Sequence, residues 1–304
     1  MAHTKQIKRI RQRSDTSMRR ALRREAPSTV GLLVDPEDFA AMCRYRSFTF
    51  DDHAVYLRQI EGLLRSLAAQ GKHTTVALFD PEDYADFCTE SGLEPDAHAS
   101  RSRFTAEIAA AGPTVEYTGQ HMDTLIPVLV SRAVRRATWE YATMLLADLG
   151  DCADCGQDIG RAAFDRASHL LMRLLDTAGP GTHHVVCSTP AQSEQLLAVL
   201  RTSRDTDGPA GIEASEGAEF VTVLAVGVAL ETPGGVVLRT TAPDTPDRVH
   251  GWRLQRGSLL PLTAGEVFSA YCTDADTGEP VPPESGVEYC AGFDLGADEP
   301  EAHR

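Results

Sequence analysis

The stretch LVDPEDFAAMCRYRSFTFDDHAVYLR, residues 33–58, is echoed 45 positions later by LFDPEDYADFCTESGLEPDAHASRSR, residues 78–103. Eleven of the 26 aligned positions are identical without a gap: Leu33, Asp35, Pro36, Glu37, Asp38, Ala40, Cys43, Asp51, His53, Ala54 and Arg58 recur as Leu78 through Arg103. Self-similarity at a fixed period marks repeated supersecondary units. Each copy reads as an apolar run, Asp-Pro-Glu-Asp, then two helical patterns. The front of the chain is therefore expected to hold a duplicated β-α-α unit, residues 30–72 and 75–113.

Working outward, VGLLV (30–34), TTVALF (74–79), TVEYT (114–118) and HHVVC (183–187) read as strands. Helical text lies at 36–46, 52–70, 81–91, 97–111, 122–149, 159–178 and 190–203, the last two flanking a Gly-Pro-Gly stop at 179–181. FVTVLAVGVALE (220–231), the turn Thr232-Pro233-Gly234-Gly235 and VVLRTTA (236–242) read as a β-hairpin. Strands alternating with helices predict an α/β fold with a mostly parallel sheet, extended by that antiparallel C-terminal hairpin. The expected divisions are a basic flexible arm at 1–28, an α/β domain at 29–208, a β-rich section at 209–292 packed on the same sheet, and an acidic tail at 293–304.

Charge is unevenly placed. Residues 1–25 carry nine Lys/Arg against two acids, a net +7, while the rest carries 20 basic against 42 acidic residues, a net −22. A basic arm on an acidic body predicts that residues 5–24, with Arg9, Arg11, Arg13, Arg19 and Arg20, contact a polyanion or an acidic protein partner. The body itself would repel nucleic acid. Only three of the 29 basic residues are lysine, which with abundant alanine suits a high-GC bacterial genome. No apolar run reaches the ~20 residues of a membrane helix, so no membrane is expected as a partner. The seven scattered cysteines point to a reducing cytoplasm.

Four sets of residues could carry chemistry. Asp35 and Asp80, leaving two neighbouring parallel strands, could share a divalent ion such as Mg, with His53 and His98 moving protons. The same Asp-Pro-Glu-Asp text is also what a helix start prefers: an acceptor at the N-cap, Pro at N1, and acids against the dipole. Asp51 and Asp96 are expected to cap the second helix of each unit, and Cys43 and Cys88 to lie on inward faces. Cys152-Ala-Asp-Cys155 with His184 and Cys187 offers the ligand types of a zinc site, although a strand would send those last two to opposite faces. Acids around the loop are expected to raise its thiol pKa values. Arg248, Trp252, Arg253 and Arg256 could hold a phosphate and stack a base, or Trp252 could cover core.

No Walker A loop, dinucleotide-binding glycine motif, Gly-x-Ser-x-Gly elbow or His-Glu-x-x-His occurs. The expectation is a cytoplasmic, non-catalytic binding or regulatory protein. The rivals are a metal-dependent enzyme acting on a phosphorylated small molecule or nucleotide, and a structural subunit of a homo-oligomer or larger assembly.

Overall fold

The computed structural model describes residues 28–192, 194–205, 208, 211–274 and 277–296. The described chain forms two compact units that divide between Arg136 and Ala137.

The first unit runs β1 (Ser28–Leu32), α1 (Pro36–Met42), α2 (His53–Ala69), β2 (Thr74–Leu78), α3 (Pro81–Glu90), α4 (His98–Ala111), β3 (Thr114–Glu116) and the start of α5 (Met122–Ala147). Its sheet has the order β1-β2-β3. β1 lies parallel to β2, with Val30 opposite Val76, and β3 lies antiparallel to β2, with Val115 opposite Val76. The mostly parallel sheet is thus corrected to a mixed one. A three-residue strand carries no sequence signal of its direction, and β3 satisfies its backbone by turning back. Leu32, Phe39, Met42, Tyr56, Tyr84 and Phe104 are at the centre of this unit's core.

The second unit takes the end of α5, then α6 (Ile159–Ala178), β4 (Gly181–Ala191), β5 (Glu194–Arg204), α7 (Ala214–Ala229), β6 (Gly234–Thr241), β7 (Asp247–Gln255), β8 (Ser258–Pro261), α8 (Ala264–Tyr271) and β9 (Val287–Cys290). Its six-stranded sheet has the order β5-β4-β6-β7-β8, with β9 also on β7. Every pairing is antiparallel except β7 with β9. The C-terminal strands therefore belong to a second, separate sheet, and residues 204–218 connect elements within one unit.

Two segments change type. Residues 220–231, expected as a hairpin strand, instead give most of α7 and its C-terminal end, and the N-cap Glu213 accepts from the Ser215 and Glu216 amides. All nine residues from Phe220 to Val228 are buried, so no polar face remains to reveal a helical period. Gly227 lets this helix approach the sheet: a Cβ there would stand 2.5 Å from Leu254 and 2.6 Å from Thr189. Residues 190–203, expected as a helix, instead give the end of β4 and most of β5. There Leu196, Ala198, Leu200 and Thr202 are buried while Leu197, Val199, Arg201 and Ser203 are exposed, the two-residue period of a strand. Helices α6 and α7 share one core with the buried faces of β4, β5, β6 and β7.

Candidate functional site

The repeated motifs of the first unit are helix caps. Asp35 Oδ1 accepts from the Glu37 amide at 2.7 Å, and Asp80 Oδ1 accepts from the amides of Glu82 at 2.7 Å and Asp83 at 3.2 Å. Pro36 and Pro81 open the two helices, where a missing N–H costs nothing. The two starts lie within each other's field. Burial first, then the carboxylates of Asp80 and Asp35, push the Asp38 carboxyl above its ordinary range. Asp83 is raised by burial and then by Asp80.

The histidines bind elsewhere. His53 Nε2 is 3.0 Å from the Leu33 carbonyl oxygen, and its ring packs on Phe39 and stacks on Tyr56. The Tyr56 hydroxyl accepts from the Leu33 amide at 3.2 Å, and burial raises its pKa. Both backbone groups of the residue after β1 are thereby satisfied by α2. His98 Nδ1 instead accepts from Arg101 Nη2 at 2.7 Å.

Three smaller expectations are corrected here. Asp52, not Asp51, caps α2 by accepting from the Val55 amide at 2.7 Å. The N-cap of α4 is Ala97, and Asp96 reaches the α1–α2 loop, accepting from the Ser47 amide at 2.9 Å. That hydrogen bond holds the Asp96 carboxyl below its ordinary range. Arg101 donates to the Ser47 hydroxyl and carbonyl, so residues of the second motif pin the loop of the first. Cys88 is buried, but Cys43 lies just past the end of α1 and is exposed.

In the second unit, Cys152 and Cys155 sit in the loop between α5 and α6. Cys187 is fully buried on the helix-facing side of β4, where burial pushes its thiol up to about 12. His184 alternates to the other side of the strand. The expected zinc quartet is therefore not assembled. Among the described residues, no group of three or more His, Cys, Asp or Glu is placed to hold a metal ion. The loop corrects the expected thiol pKa as well: amides of Asp154 and Cys155 bond to Cys152 and lower it, outweighing the raising effect of Asp154.

The Arg/Trp platform is also taken apart. Trp252 is 1% exposed, its indole N–H donates to the Phe293 carbonyl at 2.9 Å, and Phe293 meets it edge-on. A ring so enclosed cannot stack on a base. Arg253 follows on the opposite face of β7 with Glu266 at 3.7 Å, and Arg256 occupies the left-handed turn into β8. Arg248 stays exposed. Arg9, Arg11, Arg13, Arg19 and Arg20 lie outside the described residues.

What sequence reading missed is the sheet face away from α6 and α7. Register places Arg201, His184 and Arg239 in one row across β5, β4 and β6, beside a row of Val199, Val186 and Val237. Val199 of this row is 36% exposed, and Leu197, two residues along β5 on the same face, is 54% exposed. Burial first, then Arg201 and Arg239, lower the His184 pKa, which favours the neutral ring. Arg239 is held by Asp247 at 2.7 Å and by both oxygens of Glu284. The alternation of residues 194–204 was the available signal.

Comparison with known proteins adds a match over part of the chain and no activity. Residues 17–120 match a family model described as a domain of unknown function (DUF8829). The match ends just before α5. No curated protein and no solved structure matches the chain. No helix among the described residues is long and apolar enough to cross a membrane.

Proposed function

We propose that the protein acts by binding, as a cytoplasmic recognition protein whose open face of β5, β4 and β6 takes an acidic polypeptide. One observation carries this reading: on an acidic chain, the exposed Arg201 stands beside the exposed Leu197 and Val199 on one sheet face. Opposite charge would steer and register such a partner, while the apolar row supplies burial. The face carries no aromatic ring at these positions, which favours a polypeptide over stacked single-stranded bases. Residues 5–24 would act as a second basic contact that tethers the protein to a polyanion. In this reading the 45-residue period is a true duplication of one β-α-α unit, whose acids and histidines serve as caps and braces.

The test is fluorescence anisotropy with a short labelled peptide of alternating leucine and glutamate. Arg201→Glu should weaken binding at least about tenfold, a loss of about 1.4 kcal/mol. Removing residues 1–25 should weaken it less and reduce its salt dependence. Binding unchanged by Arg201→Glu would sink the proposal.

One observation favours the enzyme reading. After burial, the carboxylates of Asp80 and Asp35 raise the Asp38 carboxyl across the two helix starts, and a divalent cation would relieve that repulsion. Magnesium should then raise the melting temperature, and Asp38→Asn should abolish the rise. No shift at millimolar magnesium would remove this reading.

A further inference from the structure

The two edges of the six-stranded sheet are built differently. β8, at one edge, has four residues and ends on Pro261. Short strands and proline are how sheets keep an edge from pairing with another chain. β5, at the other edge, has eleven residues and pairs with β4 without a bulge from Glu194 to Arg204. Its stretch Gln195-Leu196-Leu197-Ala198-Val199-Leu200-Arg201 holds no proline, glycine, lysine or acid. Arg201, at the end, is its one charge.

Backbone parity shows which groups this edge offers. The Ser203 carbonyl accepts from the Gly211 amide at 2.9 Å, so Ser203 aims away from β4. Backbone groups alternate along a strand. Gln195, Leu197, Val199 and Arg201 therefore aim outward as well, with their side chains on the open face. The hairpin agrees: Ala191 and Glu194 close it, and a two-residue hairpin turns the backbone groups of its closing pair toward each other. Gly211 covers the edge at Ser203, but among the described residues no strand pairs with it from Gln195 to Arg201. Such a row of outward N–H and C=O groups is a template for another strand.

We propose that the strand taken up here is β5 of a second copy of this chain, antiparallel about a two-fold axis at Ala198, so that two sheets become one. The stretch is symmetric in character about that residue: Leu197 and Val199, Leu196 and Leu200, then Gln195 and Arg201 flank it in turn. A two-fold contact requires this, since residue i faces j while j faces i. Centring on Ala198 sets Leu197 against the partner's Val199 and Gln195 against the partner's Arg201, each pair exchanging two hydrogen bonds. Leu197 and Val199, 54% and 36% exposed, then pack side by side across the join. Charge permits the contact on a body that otherwise repels its copy. Residues 26–304 carry 42 acids, and none of them lies between Gln195 and Arg204. The two Arg201 side chains fall six residues apart along the joined strands, about 20 Å, well past the screening length of about 8 Å. This pairing goes beyond the peptide reading, because it uses the backbone edge of β5 and leaves the sheet face open.

The experiment is sedimentation equilibrium of the full chain over a dilution series, with amide exchange followed on the peptic fragment that covers β5. The expected result is twice the 32.9 kDa mass of one chain, with β5 amides exchanging more slowly as concentration rises. Val199→Pro removes one outward N–H and spares the pairing with β4, which an edge strand tolerates. It should weaken self-association at least about tenfold. Leu197→Lys combined with Val199→Lys keeps every amide but sets like charges opposite each other across the axis, and should weaken it as much. Circular dichroism checks that each variant is folded. A monomer at every concentration would overturn the proposal and leave the peptide reading to its own anisotropy test. So would a dimer that survives the lysine pair, or one whose β5 amides exchange no more slowly at high concentration.

Discussion

In the first unit, Asp35, Asp80, Asp96, His53 and His98 of the repeated motifs end on groups of their own fold. Asp35 and Asp80 hold helix amides, His53 and Tyr56 hold the two backbone groups of Leu33, and Asp96 and Arg101 hold Ser47. In the second unit, the unusual polar and thiol groups stand at the surface: Arg201 on an open sheet face and Cys155 on an exposed loop. The difference teaches that a conspicuous motif is not by itself a site. The motif that dominates the sequence is absorbed by local geometry, and the open sheet face with Arg201 sits where the sequence pattern is least marked.

The largest expected effect that sharpens this contrast is in the second core. Trp252→Ala removes a buried ring and its hydrogen bond to Phe293, and should cost about 3–5 kcal/mol in urea denaturation. Arg201→Ala, on the open face of the same sheet, should stay within about 0.5 kcal/mol of the parent. A small effect at Trp252 would return it to the list of accessible binding groups.

Next is Tyr56→Phe. It strips the acceptor from the buried Leu33 amide and should cost about 1–3 kcal/mol. A neutral result would mean that this amide finds water.

The caps follow. Asp80→Ala should cost about 1 kcal/mol, and Asp80→Asn much less, because asparagine still accepts from the helix amides. If asparagine proved as costly as alanine, the carboxylate charge itself would be the feature that matters.

The smallest effects are those of pH. Asp38 has its folded pKa raised, so the stability it contributes is present at acid pH and is lost as pH rises through that folded value. Asp38→Asn should therefore stabilise at neutral pH and make little difference near pH 3. Glu284 behaves oppositely. Hydrogen bonding to Arg239 lowers its pKa, so its contribution is present above the ordinary carboxylate range and is lost as pH falls through the lowered value. Glu284→Gln should weaken the protein at neutral pH and lose its effect in strong acid. Urea midpoints across pH would show whether the two substitutions have these opposite profiles.

Legibility in the sequence followed the range of the forces. Helix starts at Pro36 and Pro81 were readable because cap, proline and acids act within one turn. The Cys152–Cys155 loop was visible as a thiol pair for the same reason. Residues 220–231 were not readable as a helix: burial on every side erases periodicity, and only the length of the apolar run could arbitrate. Residues 194–204 were misread because leucine and alanine favour a helix intrinsically, while pairing with β4 decided the outcome. With that strand missed, the row of Arg201, His184 and Arg239 could not be seen, since only register brings it together. The opposite faces of Trp252 and Arg253 follow from strand parity once 247–255 is taken as a strand.

The most direct test is one anisotropy titration of the leucine–glutamate peptide against two double variants, each checked for folding. Asp35→Asn with Asp80→Asn should bind as the parent does, because the caps persist and the face is untouched. Leu197→Asp with Arg201→Glu should lose binding by at least about tenfold. The reverse pattern, with affinity lost in the asparagine pair and kept in the sheet-face pair, would contradict the account and return the site to the two helix starts.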